Sequence, residues 1–163
     1  MSAENVTPNP DDLAKTLSSA VKKGPPPVHL WNPPFCGDLD IRIARNGLWY
    51  YLGTPIGRMP LVKLFASVLR KDGDDYFLVT PVEKIGIIVD DAPFVAVDFE
   101  PTGEGSDQVL TFVTNVEDEA VAGPDHPIRV VRDPETGEPS PYILIRRNLE
   151  ALIDRKSYYR LVE

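Results

Sequence analysis

Four charged residues, three cations and one carboxylate, stand where they could form a site for an anionic ligand. Arg42 lies between Ile41 and Ile43 in an alternating run, so its side chain faces away from both. Arg58 sits just ahead of Met59-Pro60, where a helix is expected to begin, and Glu83 and Lys84 follow Thr80-Pro81 directly after a β-prone run. A guanidinium grips phosphate through two parallel hydrogen bonds, and an ammonium adds a point charge. Trp49 and Tyr50, just beyond Asn46-Gly47, offer flat rings against which a base could stack. Arg42, Trp49, Tyr50, Arg58, Glu83 and Lys84 are therefore the candidate ligand-binding set. Each also has a structural use: Glu83 can pair with Arg58, and the two aromatic rings can fill a core.

Other chemistries find less support. Cys36 with His29 or His126 would form a nucleophile–base pair only if the fold joined them, and no third orienting group is evident. There is no CxxC, HExxH or GxSxG. Asp38, Asp40, Asp90 and Asp91 could hold a hard cation, but they lack EF-hand spacing and read as solvated acids. Gly103-Glu104-Gly105-Ser106 begins like a phosphate loop, yet acids surround it and no helix follows, so it reads as a hairpin turn. No catalytic residue, metal ligand or cofactor is assigned.

These residues belong to a chain of 163 amino acids with 42% hydrophobic and 26% charged residues, a soluble globular composition. The net charge of −8 argues against a nucleic-acid partner, which needs a basic surface. No apolar run approaches the roughly 20 residues of a membrane span. The start is polar and lacks an apolar signal core, and the single cysteine suits a reducing compartment, so the expected location is the cytoplasm. The acidity is concentrated: from Glu83 to Asp125, eleven carboxylates face the single Lys84. Such a segment could meet a basic protein partner.

The elements that must position the candidates read as follows. Residues 1–36 form a polar leader with one helical stretch and a Pro-rich segment anchored by Trp31 and Phe35. Residues 37–82 form a first unit. In it, a hairpin turns at Asn46-Gly47 and a helix carries Leu61, Leu64, Phe65, Val68 and Leu69 on one face, with Arg70 and Lys71 in its last turn. A strand from Tyr76 to Thr80 completes the unit. Residues 83–163 form a second, larger unit with β-like runs at Ile85–Val89, Phe94–Phe99, Val109–Val113 and Glu119–Ala122.

The closing segment repeats the earlier one. Ile41–Asn46 matches Ile128–Asp133, Pro55–Leu61 matches Ile143–Leu149, Leu61, Leu64 and Phe65 match Leu149, Leu152 and Ile153, and Tyr76–Val79 matches Tyr159–Val162. Arg58 in one copy, and Arg146 and Arg147 in the other, would then stand at helix starts. The expected fold is α+β, a duplicated hairpin–helix–strand unit whose second copy is enlarged by extra strands. A cleft between two such units is a preferred place for ligands.

The run from Trp31 to Phe94 resembles an uncharacterised bacterial family, domain of unknown function 1285. Trp31, Pro33, Cys36-Gly37, Asn46-Gly47, Trp49-Tyr50, Pro55-Ile56, Arg58, Leu64-Phe65-Ala66, Leu78-Val79-Thr80-Pro81, Glu83-Lys84 and Asp91-Ala92-Pro93-Phe94 carry the resemblance. It implies a duplicated α+β core whose second copy is a pleckstrin-homology-like half barrel. It also implies a site for a nucleotide-like ligand at the junction of the halves, and a role in signalling. The expected function is thus a cytoplasmic ligand-binding or signalling module, not an enzyme. One alternative is a small enzyme acting on a phosphorylated compound, with Glu83 or Asp40 as base. The other is a structural partner protein using the leader and the acidic strands.

Overall fold

Alternation in Leu39-Asp40-Ile41-Arg42-Ile43 buries every second residue and builds the middle of the first sheet. The computed structural model describes residues 26–162, and the helix expected in the leader lies outside the described residues. Two compact units appear. The first comprises the described residues up to Ile43 and Leu48–Val89, and the second comprises Ala44–Gly47 with the described residues from Asp90 onward.

The first unit contains β1 (Phe35–Ile43), β2 (Trp49–Tyr51), β3 (Thr54–Pro55), α1 (Met59–Ser67), β4 (Leu69–Asp72), β5 (Asp75–Val79) and β6 (Lys84–Val89). Its sheet runs β3-β2-β1-β6-β5-β4. The central β1–β6 pair is parallel and every other pair antiparallel. The inner face carries Leu39, Ile41, Ile43, Trp49, Leu69, Leu78 and Ile85, all buried. Pro60 sits in the first turn of α1, where its missing N–H costs nothing. Leu61, Val62, Phe65 and Ala66 are the helix's buried stripe, and Phe65 stacks on Trp49 at 6.3 Å.

The helix ends sooner than its apolar spacing predicts. Val68 caps it, and Leu69 to Asp72 form β4, so Arg70 and Lys71 are strand residues. Among its described residues the Pro-rich segment contains a 3-10 turn, Val28–Leu30. Its anchor is Val28, which is buried, whereas Phe35 is 57% exposed. Arg70 supplies the tie: its Nη1 donates to the carbonyls of Val28 (2.9 Å) and Trp31 (2.6 Å).

The second unit contains β7 (Phe94–Thr102), β8 (Val109–Thr114), β9 (Glu119–Val121), β10 (Ile128–Arg132), β11 (Pro139–Arg146), β12 (Leu149–Ile153) and α2 (Arg155–Leu161). Its sheet runs β10-β11-β12-β7-β8-β9, again with one parallel pair, β12–β7, at the centre. Phe94, Ala96, Phe112, Ile143, Leu149, Ala151 and Ile153 are among its buried core residues. Asp154 caps α2 by accepting the N–H of Ser157 at 2.9 Å.

The two sheets share one topology. In each, a three-strand meander is followed by a second, and the first and last strands pair in parallel at the centre. The α+β duplication therefore stands, but in another register than the sequence match suggests. Ile41–Asn46 belongs to the first strand of its sheet, whereas Ile128–Asp133 belongs to the fourth of its own. The second unit also ends strand then helix, the reverse of the expected order. Leu149 to Ile153 is β12, buried in alternation, and Tyr159 lies in α2. Arg146 closes β11, and Arg147, at φ 51°, makes the turn into β12, so neither starts a helix.

Candidate functional site

Register places three of the six candidates on one face. Arg42 lies opposite Tyr50 on β2 and Ile88 on β6. Lys84 lies two residues from Gly86, which pairs with Phe77 and Asp38. Because side chains alternate along strands, Arg42, Tyr50, Lys84, Asp38 and Phe77 all project from the outer face, away from α1. Trp49 projects inward and is 2% exposed. Arg58 is exposed at the N-cap of α1, where its carbonyl accepts the N–H groups of Leu61 (3.1 Å) and Val62 (3.2 Å). Glu83 is held in a tight turn: its N–H donates to Thr80 Oγ1 at 2.9 Å and its carbonyl accepts the Thr80 N–H at 2.8 Å. Arg58 and Glu83 thus occupy a cap and a turn off the sheet face.

On that outer face lies a groove of about 330 Å³ whose lining includes Phe35, Asp38, Asp75, Phe77, Lys84 and Gly86. Three local departures from regular sheet meet there. First, β1 is irregular against β6: Asp38 pairs with Gly86 and Arg42 with Ile88, so four residues of β1 span two of β6. Such bulges bend a strand and re-aim its side chains. Second, Gly37 has φ 103°, a left-handed conformation that an L side chain rarely adopts. Third, Gly86 stands in the middle of a central strand, where glycine weakens a sheet. The reason is close approach. A Cβ at Gly86 would lie 2.1 Å from Asp38 Oδ1 and 3.6 Å from the Phe35 ring. The missing side chain lets the Asp38 carboxylate settle on the strand beneath Phe35.

The rest of the wall is fixed. Phe35 and Phe77 meet edge to face at 6.1 Å. Lys84 Nζ sits 4.2 Å from the centre of the Phe77 ring and 2.8 Å from Asp72 Oδ2. Arg70 forks onto both oxygens of Asp72, at 3.0 and 2.9 Å. Burial pushes the Asp72 carboxyl up, but the hydrogen bonds from Arg70 and Lys84 outweigh it and hold the group below its ordinary value. Lys84 is thus committed to a carboxylate and a ring, and the groove itself offers aromatic surface and the acceptor oxygens of Asp38. Chemically, such a surface can stack a planar ring and accept hydrogen bonds from its N–H groups.

The remaining candidates lie apart from the groove lining or beside it. Cys36 is exposed, and its Sγ donates to the Pro34 carbonyl at 3.3 Å. In the second unit, His126 Nδ1 donates to the Leu144 carbonyl at 2.9 Å. Asp91 accepts from Arg45 (2.7 Å) and from the Tyr142 hydroxyl (2.7 Å). Among the described residues, no group of three or more His, Cys, Asp or Glu is placed to hold a metal ion, and no helix is long and apolar enough to cross a membrane. Reading the residues alone misses Phe35, Asp38, Phe77 and Gly86 as one site. The one available signal was the glycine inside Lys84-Ile85-Gly86-Ile87-Ile88, since an isolated glycine in a strand pattern marks a bulge or a close approach.

Known proteins agree with this architecture. Residues 26–92 match the N-terminal domain of the domain of unknown function DUF1285, and residues 93–163 match the C-terminal domain of DUF1285 proteins. The chain belongs to this family. It is similar to the crystal structure of a DUF1285 family protein from Silicibacter pomeroyi DSS-3, with 59% identity and a TM-score of 0.88 over 96% of this chain and 84% of that one. It is also similar to a DUF1285 family protein from Shewanella baltica OS155, with 34% identity and a TM-score of 0.60 over 76% of this chain and 91% of that one. No curated protein matches the chain.

Proposed function

We propose that this chain is a small-ligand-binding module, of the kind used in signalling, and that the outer face of its first sheet takes a nucleotide-like ligand. The observation that carries the reading is the clearance at Gly86, which seats the Asp38 carboxylate under the exposed Phe35 ring. The base stacks on Phe35, and its ring or amino N–H groups donate to Asp38. Arg42 lies on the same face two β6 residues past Gly86, about 7 Å along the strand, and meets a phosphate there. Tyr50, across from Arg42, borders the same end. The pleckstrin-homology likeness of the second unit draws its support from six strands followed by the terminal helix α2.

The test is a thermal-shift series with nucleosides and nucleoside monophosphates. Binding raises the melting temperature of the native chain in proportion to ligand concentration. Gly86 has no left-handed φ, so Gly86→Ala keeps the strand but displaces Asp38. The shift is lost in Gly86→Ala and in Asp38→Asn, and Arg42→Ala weakens the monophosphates more than the nucleosides. No shift with any compound, or an equal shift after Gly86→Ala, removes the proposal.

A further inference from the structure

Each sheet ends in two edge strands, and three of the four are protected. β3 has two residues, one of them Pro55. β9 has three residues. β4 is backed by the 3-10 turn at Val28–Leu30, tied through Arg70. Such shortness, proline and cover are how sheets avoid edge-to-edge pairing.

The fourth edge, β10, is five residues long and free of proline, and the charges that also guard edges are confined to Arg129 and Arg132. Ile128-Arg129-Val130-Val131-Arg132 pairs with β11 in unbroken register over five residues and contains no proline or glycine. Val130 and Val131 are 46% and 45% exposed, although both favour strands. The ladder phase is known from its ends. Leu144 N–H donates to the Pro127 carbonyl and Asp133 N–H to the Glu138 carbonyl, so the odd-numbered residues bond to β11. By alternation, Ile128, Val130 and Arg132 turn their N–H and C=O groups outward. Among the described residues no strand pairs with them.

We infer that β10 is a dimerisation edge, and that it pairs antiparallel with β10 of a second copy of this chain. The phase and the charges select the register. Outward-turned residues must meet outward-turned residues, which leaves the alignments centred on Arg129, Val130 or Val131. Centring on Arg129 sets it against itself, and like charges directly opposite destabilise a pair. Centring on Val131 shortens the overlap. Centring on Val130 overlaps all five residues, sets Arg129 against Val131 and Ile128 against Arg132, and brings no arginine opposite an arginine. The same patch meets itself across a two-fold axis, as a closed dimer requires. Arg129 is moreover forked onto Glu150 of its own sheet at 2.9 and 2.8 Å, which offsets its charge at the seam.

The experiment is sedimentation velocity on the full chain from low micromolar to submillimolar concentration, with Val130→Pro and Val130→Lys. Proline at 130 removes an outward donor without breaking a bond to β11, and lysine sets two like charges at the two-fold axis. The native chain is a reversible dimer, and each variant weakens dimerisation by at least about tenfold while keeping the native circular dichroism spectrum. Hydrogen exchange at the Ile128, Val130 and Arg132 amides slows as the native chain dimerises. A native chain that stays monomeric, including one whose three amides are already protected as a monomer, overturns the inference. So does a dimer unchanged by a folded Val130→Lys. The ligand groove lies on the first sheet, so neither result bears on the ligand reading.

Discussion

Arg70 does more for the first unit than its position in a short edge strand suggests. One guanidinium holds two carbonyls of the Pro-rich segment and both oxygens of Asp72, which in turn holds Lys84 against the groove. Lysine cannot reproduce that fork. Arg70→Lys therefore lowers unfolding free energy by about 2 kcal/mol in urea melts, the scale of lost hydrogen bonds to a charged group. The carboxyl of Asp72 is held below its unfolded value, which is about 3.9. Its contribution to stability is thus complete above that unfolded value and is lost as the pH falls through the lower folded one. Asp72→Asn flattens the acid side of the stability profile in urea melts repeated across acidic pH. The effect is small, since the side chain is 36% exposed and solvent screens it.

At the scale of the element, the instructive run is Leu149-Glu150-Ala151-Leu152-Ile153. Leu149, Leu152 and Ile153 fit a helical stripe, while Leu149, Ala151 and Ile153 fit strand alternation, and five residues are too few to separate the two periods. Burial decides for the strand: Leu149, Ala151 and Ile153 are buried and Leu152 is half-buried. Leu149→Ala accordingly costs about 2–5 kcal/mol, as for a large-to-small change in a packed core, and Leu152→Ala costs about 1 kcal/mol or less. Chemical denaturation of the two variants reads the difference directly. Equal costs would fit the helical stripe instead. The tail of α1 follows the same logic. Val68 and Leu69 continue the apolar face of the helix, yet Leu69 pairs with Leu78 as a strand residue. The Asn46-Gly47 hairpin and the strands after Ile85 were legible, because turn chemistry and alternation agree there.

Across the whole molecule, the repeat was visible in the sequence but its register was not. Two sheets of identical strand order keep their pairing pattern while their residues diverge, so matching similar words joined the first strand of one sheet to the fourth of the other. The residues of the proposed ligand site were partly legible for the same reason. Strand alternation in the sequence put Arg42 on an outward face, but only register across β1, β6 and β5 unites Phe35, Asp38, Phe77 and Gly86, which are scattered over 52 positions of the chain.

The ligand proposed for this assembled groove is a planar, donor-bearing ring. Binding is tested most directly by titrating isotope-labelled protein with adenosine and following backbone amide resonances. Saturable shifts centred on Phe35, Asp38, Phe77 and Gly86, absent in Gly86→Ala, are the predicted result. Unmoved resonances at those four residues, or identical shifts in Gly86→Ala, would contradict it.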